Sequence, residues 1–228
     1  MSTIQISAGL LAAYPGAHIG ILTMLEVQNP VEHALLNFRK GELERQLRER
    51  YGTVNRSELK EIYPLNIYAG YYKQFKKTYH VLLQLESIVY KDKSIPRVAA
   101  LVEASFMAEI ENLLLTAGHD LQSLEPPIVF DVANGDETYT LLSGEPKTLK
   151  AGDMYMRDAR GAACSIIYGS DARTRITTHT RQVMFVVYAP PGIRTDSIQQ
   201  HLAAIQEYVH MITPSAVTRE LEVIPLSA

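Results

Sequence analysis

Val183-Met-Phe-Val-Val-Tyr188 is an almost unbroken apolar run, closed by Pro190-Pro191-Gly192. A short run of this kind reads as a central β-strand covered on both faces. The sequence upstream has the same grain. Short segments at Ile128–Val132, Thr138–Leu142, Met154–Arg157 and Ala163–Tyr168 alternate with turn signals at Asn134-Gly135, Ser143-Gly144, Gly152 and Gly169. The run His18-Ile-Gly-Ile-Leu-Thr-Met-Leu25, held between Pro15-Gly16 and Gln28-Asn29-Pro30, predicts one more buried strand near the start.

Helical spacing fills the interval between these strands. Asn29 and Pro30 predict an N-cap and first helical position. Val31, Ala34, Leu35, Phe38, Leu43 and Leu47 then form an apolar stripe running to about Tyr51 and Gly52. A short helix is predicted from Ser57 to just before Pro64, because a residue preceding proline avoids the α region. Further helices carry Val81, Leu82, Leu85, Ile88 and Val89, and then Val98, Leu101, Val102, Phe106, Ile110, Leu113 and Leu114. The last of these is expected to open at Pro96 and end at Gly118. A C-terminal helix spans about Asp196 to Met211, and Leu221–Ile224 is a final strand candidate. Strand, helices, many strands and helix, in that order, describe an α+β fold with a mostly antiparallel or mixed sheet packed with helices. No composition break marks a linker, so residues 1–228 are expected to form a single domain.

The 228 residues are 46% hydrophobic and 21% charged, ordinary for a globular chain and unlike disordered or collagen-like sequence. One cysteine, Cys164, excludes an intramolecular disulfide. No apolar run is long enough to span a membrane. The first residues lack a basic signal region, so a cytoplasmic location is expected. With 22 basic and 25 acidic residues the net charge is −3, which excludes strong, sequence-blind nucleic-acid binding by overall charge. The charge is nevertheless uneven. Val98 to Pro146 holds nine acids and no Lys or Arg, with basic residues on either side.

Phosphate-loop, dinucleotide, zinc-protease and serine-hydrolase signatures are all missing, and the seven histidines show no metal-site spacing. No metal or cofactor is therefore expected. Gly118-His119-Asp120, placed after a helix end, offers either a proton relay or a polar cap, with His119 and Asp120 as the catalytic candidates. The densest constellation runs from Arg157-Asp158-Ala159-Arg160-Gly161 to Gly169-Ser170-Asp171-Ala172-Arg173-Thr174-Arg175-Ile176-Thr177-Thr178-His179-Thr180-Arg181. It has five arginines in 25 residues, with hydroxyls between them. Arginine forks with hydroxyls and loop amides suit a carboxylate or a phosphate. Arg157, Asp158, Ser170, Asp171, Arg173, Arg175, Thr177 and Thr180 are accordingly the substrate-binding candidates. The competing reading is a solvated hairpin laced with ion pairs. Tyr71-Tyr-Lys-Gln-Phe-Lys-Lys-Thr-Tyr79 either stacks on bases and contacts phosphates through Lys73, Lys76 and Lys77, or packs its tyrosines on the core.

Four segments together carry a family resemblance. They are Lys91-Asp-Lys-Ser-Ile-Pro-Arg-Val-Ala-Ala-Leu-Val-Glu-Ala, Leu115-Thr-Ala-Gly-His-Asp-Leu121, Gly152-Asp-Met-Tyr-Met-Arg-Asp158 and Arg173-Thr-Arg-Ile-Thr-Thr-His-Thr-Arg-Gln-Val-Met-Phe-Val-Val187. In order and spacing the chain resembles the B3/B4 editing domain of the phenylalanyl-tRNA synthetase β subunit, and more closely the freestanding B3/4-domain proteins, over about residues 60–195. That resemblance implies a B3/B4-like fold. It also implies an RNA- or tRNA-binding protein that hydrolyses a mischarged aminoacyl ester, with water as nucleophile. The family's pocket histidine would fall on His119, its acid near Asp158 or Ala159, and its threonines on Thr177 and Thr180. The family's pocket asparagine would fall on Ala99 or a neighbour, a departure from the pattern. Three functions follow as expectations: a freestanding aminoacyl-tRNA deacylase, a hydrolase; a non-catalytic tRNA-binding module; and a pocket protein for a small amino-acid-like ligand.

Overall fold

In the computed structural model, which describes residues 4–227, the chain folds as β1 (Ile4–Ile6), α1 (Ala8–Ala13), β2 (His18–Leu25), α2 (Ala34–Tyr51), α3 (Arg56–Glu61), α4 (Leu65–Gln74), α5 (His80–Lys91), α6 (Ala100–Asn112), β3 (Thr116–Asp120), β4 (Ile128–Val132), β5 (Thr138–Thr140), β6 (Pro146–Thr148), β7 (Met154–Asp158), β8 (Gly161–Ser165), β9 (Gly169–Ser170), β10 (Gln182–Ala189), α7 (Thr195–Ile212) and β11 (Val217–Pro225). This is an α+β fold. One large sheet is antiparallel in the order β11-β2-β10-β3, a second is mixed in the order β1-β4-β7-β8-β9, and β5 and β6 form a separate antiparallel pair. In the mixed sheet β1 runs parallel to β4 and the remaining pairs are antiparallel.

The apolar run at 183–188 lies where its composition requires, between β2 and β3 inside the first sheet, with Val183 through Tyr188 all buried. Helix α7 covers one face of that sheet. It comes so close that a Cβ on Gly20 of β2 would lie 2.6 Å from Ile198 Cγ2 and 3.3 Å from Leu202 Cδ1. The mixed sheet meets the first where Phe130 of β4 packs edge-on to Tyr188 of β10, with ring centroids 5.9 Å apart. The tyrosines of α4 belong to the core. Tyr68 stacks on Tyr79 at 4.6 Å, and Tyr71 donates from its hydroxyl to Asp153 Oδ1 at 2.7 Å. The basic-aromatic segment therefore buries its aromatic rings and leaves Lys73, Lys76 and Lys77 exposed.

Three local expectations are corrected. Helix α2 begins at Ala34, and Val31, Leu35 and Phe38 are more than half exposed. Leu43 and Leu47 of the expected stripe are buried, but its first half lies one step round, on Leu36 and Lys40, where Lys40 is accommodated by an ion pair with buried Glu103. Asn29 is a cap, but of a different helix. Its Oδ1 accepts from Leu101 N at the start of α6 at 2.8 Å, and its Nδ2 donates to Thr177 O at 2.9 Å. Ala99, the N-cap residue of α6, has no side-chain acceptor of its own, so the orphan amide is met from 72 residues away. Finally, α6 ends at Asn112, with Leu113 in the left-handed region at φ 62°. Gly118 therefore lies inside β3 and terminates no helix.

Candidate functional site: a cavity between helix α6 and the two sheets

The break after Leu113 turns the chain from α6 into β3 and opens a space between them. The result is a cavity of about 380 Å³. One wall is Val102, Ser105, Phe106 and Glu109 of α6, and another is Thr116, Ala117 and Gly118 of β3. Cys164, Ser165, Ile166, Gly169 and Ser170 around β8 and β9, Tyr188 of β10, His80 of α5, and Arg175 with Ile176 complete it. Val98, Leu142 and Arg175 are exposed and mark the mouth; Glu109, Leu115, Cys164, Ser165 and Tyr188 are buried and form the floor. A concave site with an apolar body and few polar groups is the ordinary architecture of a small-ligand pocket.

The floor holds an unusual group. Glu109 is 2% exposed; its Oε1 accepts from Thr116 N at 2.7 Å, and its Oε2 has no protein partner. Burial pushes its carboxyl up to about 8, only partly opposed by the Thr116 amide, so it is protonated at neutral pH. Tyr188 Oη is a second buried polar atom without a partner. Burial lowers His80 to about 4, so its imidazole is neutral; Nδ1 lies 3.2 Å from the Tyr72 hydroxyl. Burial raises the Cys164 thiol to about 12, which leaves it inert as a nucleophile. Among the described residues no group of three or more His, Cys, Asp or Glu side chains converges as a metal site requires.

The expected site residues divide sharply. Ser170 and Arg175 line the cavity. His119 and Asp120 do not: they lie in a strand, where neighbours point to opposite faces, rather than at a helix end. His119 is fully buried, with Nδ1 2.8 Å from Thr174 Oγ1. The Thr174 hydroxyl donates to Asp171, so His119 Nδ1 is the donor to Thr174, and Nε2 is a buried acceptor without a partner. Burial first, then the nearby Arg173 charge, lowers this imidazole to about 3. Asp120 accepts from the Thr180 hydroxyl at 2.7 Å and from Gln122 N at 3.0 Å.

The arginine-rich stretch is largely paired within the fold. Arg173 forks onto buried Asp158, with Nη1 to Oδ2 at 2.8 Å and Nη2 to Oδ1 at 3.0 Å, and also approaches Asp171. Burial alone would raise Asp158, but the Arg173 fork and the amides of Glu125 and Arg160 hold it below the usual carboxylate range. Arg157 faces Asp131 and Arg160 faces Glu125. The Thr180 hydroxyl also accepts from Thr177 N, tying the loop to itself. Arg175 alone of the five arginines borders the cavity.

Beside the cavity stands a feature that the linear sequence does not show. Lys147 Nζ lies 4.5 Å and Lys77 Nζ 5.7 Å from the ring centroid of Tyr168, two residues from cavity-lining Ile166 and one from Gly169. Lys73 and Lys76 are exposed on the same α4 end. Lys77 was recognisable in a basic run, but Lys147 and Tyr168 come from separate hairpins. Glu109 had a signal: it falls three residues after Phe106 and seven after Val102, an acid on an otherwise apolar helical stripe.

The B3/4 domain family matches residues 66–221, which includes every residue lining the cavity. The chain belongs to the B3/4 domain family. No curated protein matches it at a significant level. Among solved structures, an N-terminal fragment of the phenylalanyl-tRNA synthetase beta-subunit from Pyrococcus horikoshii is similar over 96% of this chain, with 12% identity and a TM-score of 0.47. This B3/4 protein spans about half of that fragment, 54% of its length. No helix among the described residues is long and apolar enough to cross a membrane.

Proposed function

We propose that this B3/4 protein binds the acylated end of an aminoacyl-tRNA and acts as a deacylase on its ester. The acyl group enters the cavity, while the RNA stays outside along the Lys77–Tyr168–Lys147 patch. The observation that carries this reading is the adjacency of the two surfaces: an apolar cavity for an amino-acid side chain opens beside Lys77, Lys147 and the half-buried ring of Tyr168. Lysines suit phosphates and the ring suits a base. In this reading Arg175 at the mouth polarises the ester carbonyl, and Ser165 and Ser170, which also line the cavity, orient the attacking water. Such a hydrolysis proceeds by positioning and electrostatic stabilisation, with no covalent nucleophile. It accords with the inert Cys164; His119 and Asp120, set away from the cavity, hold the arginine-rich loop in this reading.

A second reading, a non-catalytic pocket for a small amino-acid-like ligand, is favoured by that same seclusion of His119. One experiment separates them. A panel of correctly and wrongly charged aminoacyl-tRNAs is incubated with the protein and with a Val102→Trp variant that fills the cavity. Release of one amino acid, lost in the variant, supports the deacylase. No release by either protein, with retained binding of a free amino acid, supports the second.

A further inference from the structure

Glu109 asks for a partner that the protein does not supply. Glu109 lines the buried end of the cavity; one carboxyl oxygen is fixed by Thr116 N, and the other is buried with no hydrogen bond. A buried polar group left unpaired costs free energy, and a buried carboxyl more than most. The lining holds no second carboxylate, and its one cation, Arg175, is at the exposed mouth. Phe106 and Tyr188 line the same space, and aromatic rings of this kind attract a positive charge. The empty protein avoids the cost by keeping Glu109 protonated. A ligand that brings a cation offsets this cost, because an ion pair completed by the fixed Thr116 amide replaces an isolated acid.

We infer that the floor of the cavity receives a side-chain ammonium, so that the acyl groups this pocket prefers are those of amino acids with amine-tipped basic side chains. This rests on the aminoacyl reading above. In that reading the ester and the α-amino group remain at the mouth with the RNA, so the group reaching Glu109 is the tip of the side chain. The partner class is therefore a flexible alkyl chain ending in a primary amine. Its methylenes lie against Val102, Phe106, Leu115 and Ile176, and its charge lies on Glu109 Oε2.

The test uses the full chain and three non-hydrolysable probes, lysinamide, norleucinamide and tyrosinamide, titrated by calorimetry into the wild type and Glu109→Gln. Lysinamide is expected to bind about tenfold more tightly than norleucinamide to the wild type. In Glu109→Gln that preference is expected to vanish, the two amides binding equally. Norleucinamide binding as well as lysinamide to the wild type would overturn the inference and leave the pocket reading standing. Tyrosinamide binding best would overturn it in favour of a neutral hydrogen-bonding tip. Binding of none of the three would overturn both the inference and the pocket reading.

Discussion

Replacing Glu109 by Gln should change how stability depends on pH, and the size of the change follows from the burial of one carboxyl. In the fold Glu109 ionises near 8; in the unfolded chain it ionises near its ordinary 4.5. The folded-state value is raised, so the folded protein holds this proton over a range where the unfolded chain has released it. Stability is therefore lost as pH rises from about 4.5, until the folded carboxyl also ionises. Between pH 6 and pH 9 this one group removes about 3 kcal/mol. Gln keeps the acceptor for Thr116 N and has no proton to lose. Other buried groups act mainly outside the window. Asp153, raised by burial to about 6, makes most of its contribution below pH 7, and Cys164, raised by burial to about 12, begins near pH 9. The lowered His80, His119 and His201 act with opposite sign at acid pH. All are common to both proteins and cancel in the difference. Urea denaturation at pH 6, 7, 8 and 9 should show Glu109→Gln gaining about 3 kcal/mol relative to the wild type across that range. Parallel stability curves would refute the reasoning, because they would mean that Glu109 ionises normally and the cavity floor is not dry.

Asp158→Ala strips Arg173 of its fork and two backbone amides of their acceptor; a loss of about 3 kcal/mol is expected by denaturant melts. Gly20→Ala forces a Cβ to 2.6 Å from Ile198 Cγ2 and 3.2 Å from Val187 Cβ, and should cost about 2 kcal/mol in the same assay. Lys77→Glu and Lys147→Glu should each weaken tRNA binding to a similar degree for all tRNAs. Each should also reduce the slope of log affinity against log salt by about 1, with no change in thermal stability.

The fold was legible because its decisive signals are local. An unbroken apolar run such as Val183–Tyr188 has few resting places other than a central strand, and glycine turns mark off the strands around it. What stayed hidden depends on contacts distant in sequence. Asn29 carries an N-cap residue's chemistry, yet the amide it satisfies belongs to Leu101. The stripe of α2 reads as Leu35 and Phe38 from spacing alone, because Lys40 looks like a surface residue until Glu103 is placed beside it. The arginine-rich segment shows donors in abundance, but not that Asp158 already occupies Arg173. Gly118 reads as a helix end from sequence, which sets His119 and Asp120 side by side at a loop, whereas strand geometry sends their side chains to opposite faces. Glu109, by contrast, was visible as an acid on an apolar stripe, and its isolation became apparent once β3 was laid against α6.

The most direct measurement compares a tRNA carrying a non-hydrolysable 3′-aminoacylamide with the same tRNA uncharged, for binding to the wild type and to Val102→Trp. An acyl group seated in the cavity should make the charged tRNA bind more tightly to the wild type, and filling the cavity should abolish the difference while leaving the affinity for uncharged tRNA unchanged. Equal binding of charged and uncharged tRNA by the wild type would contradict the account.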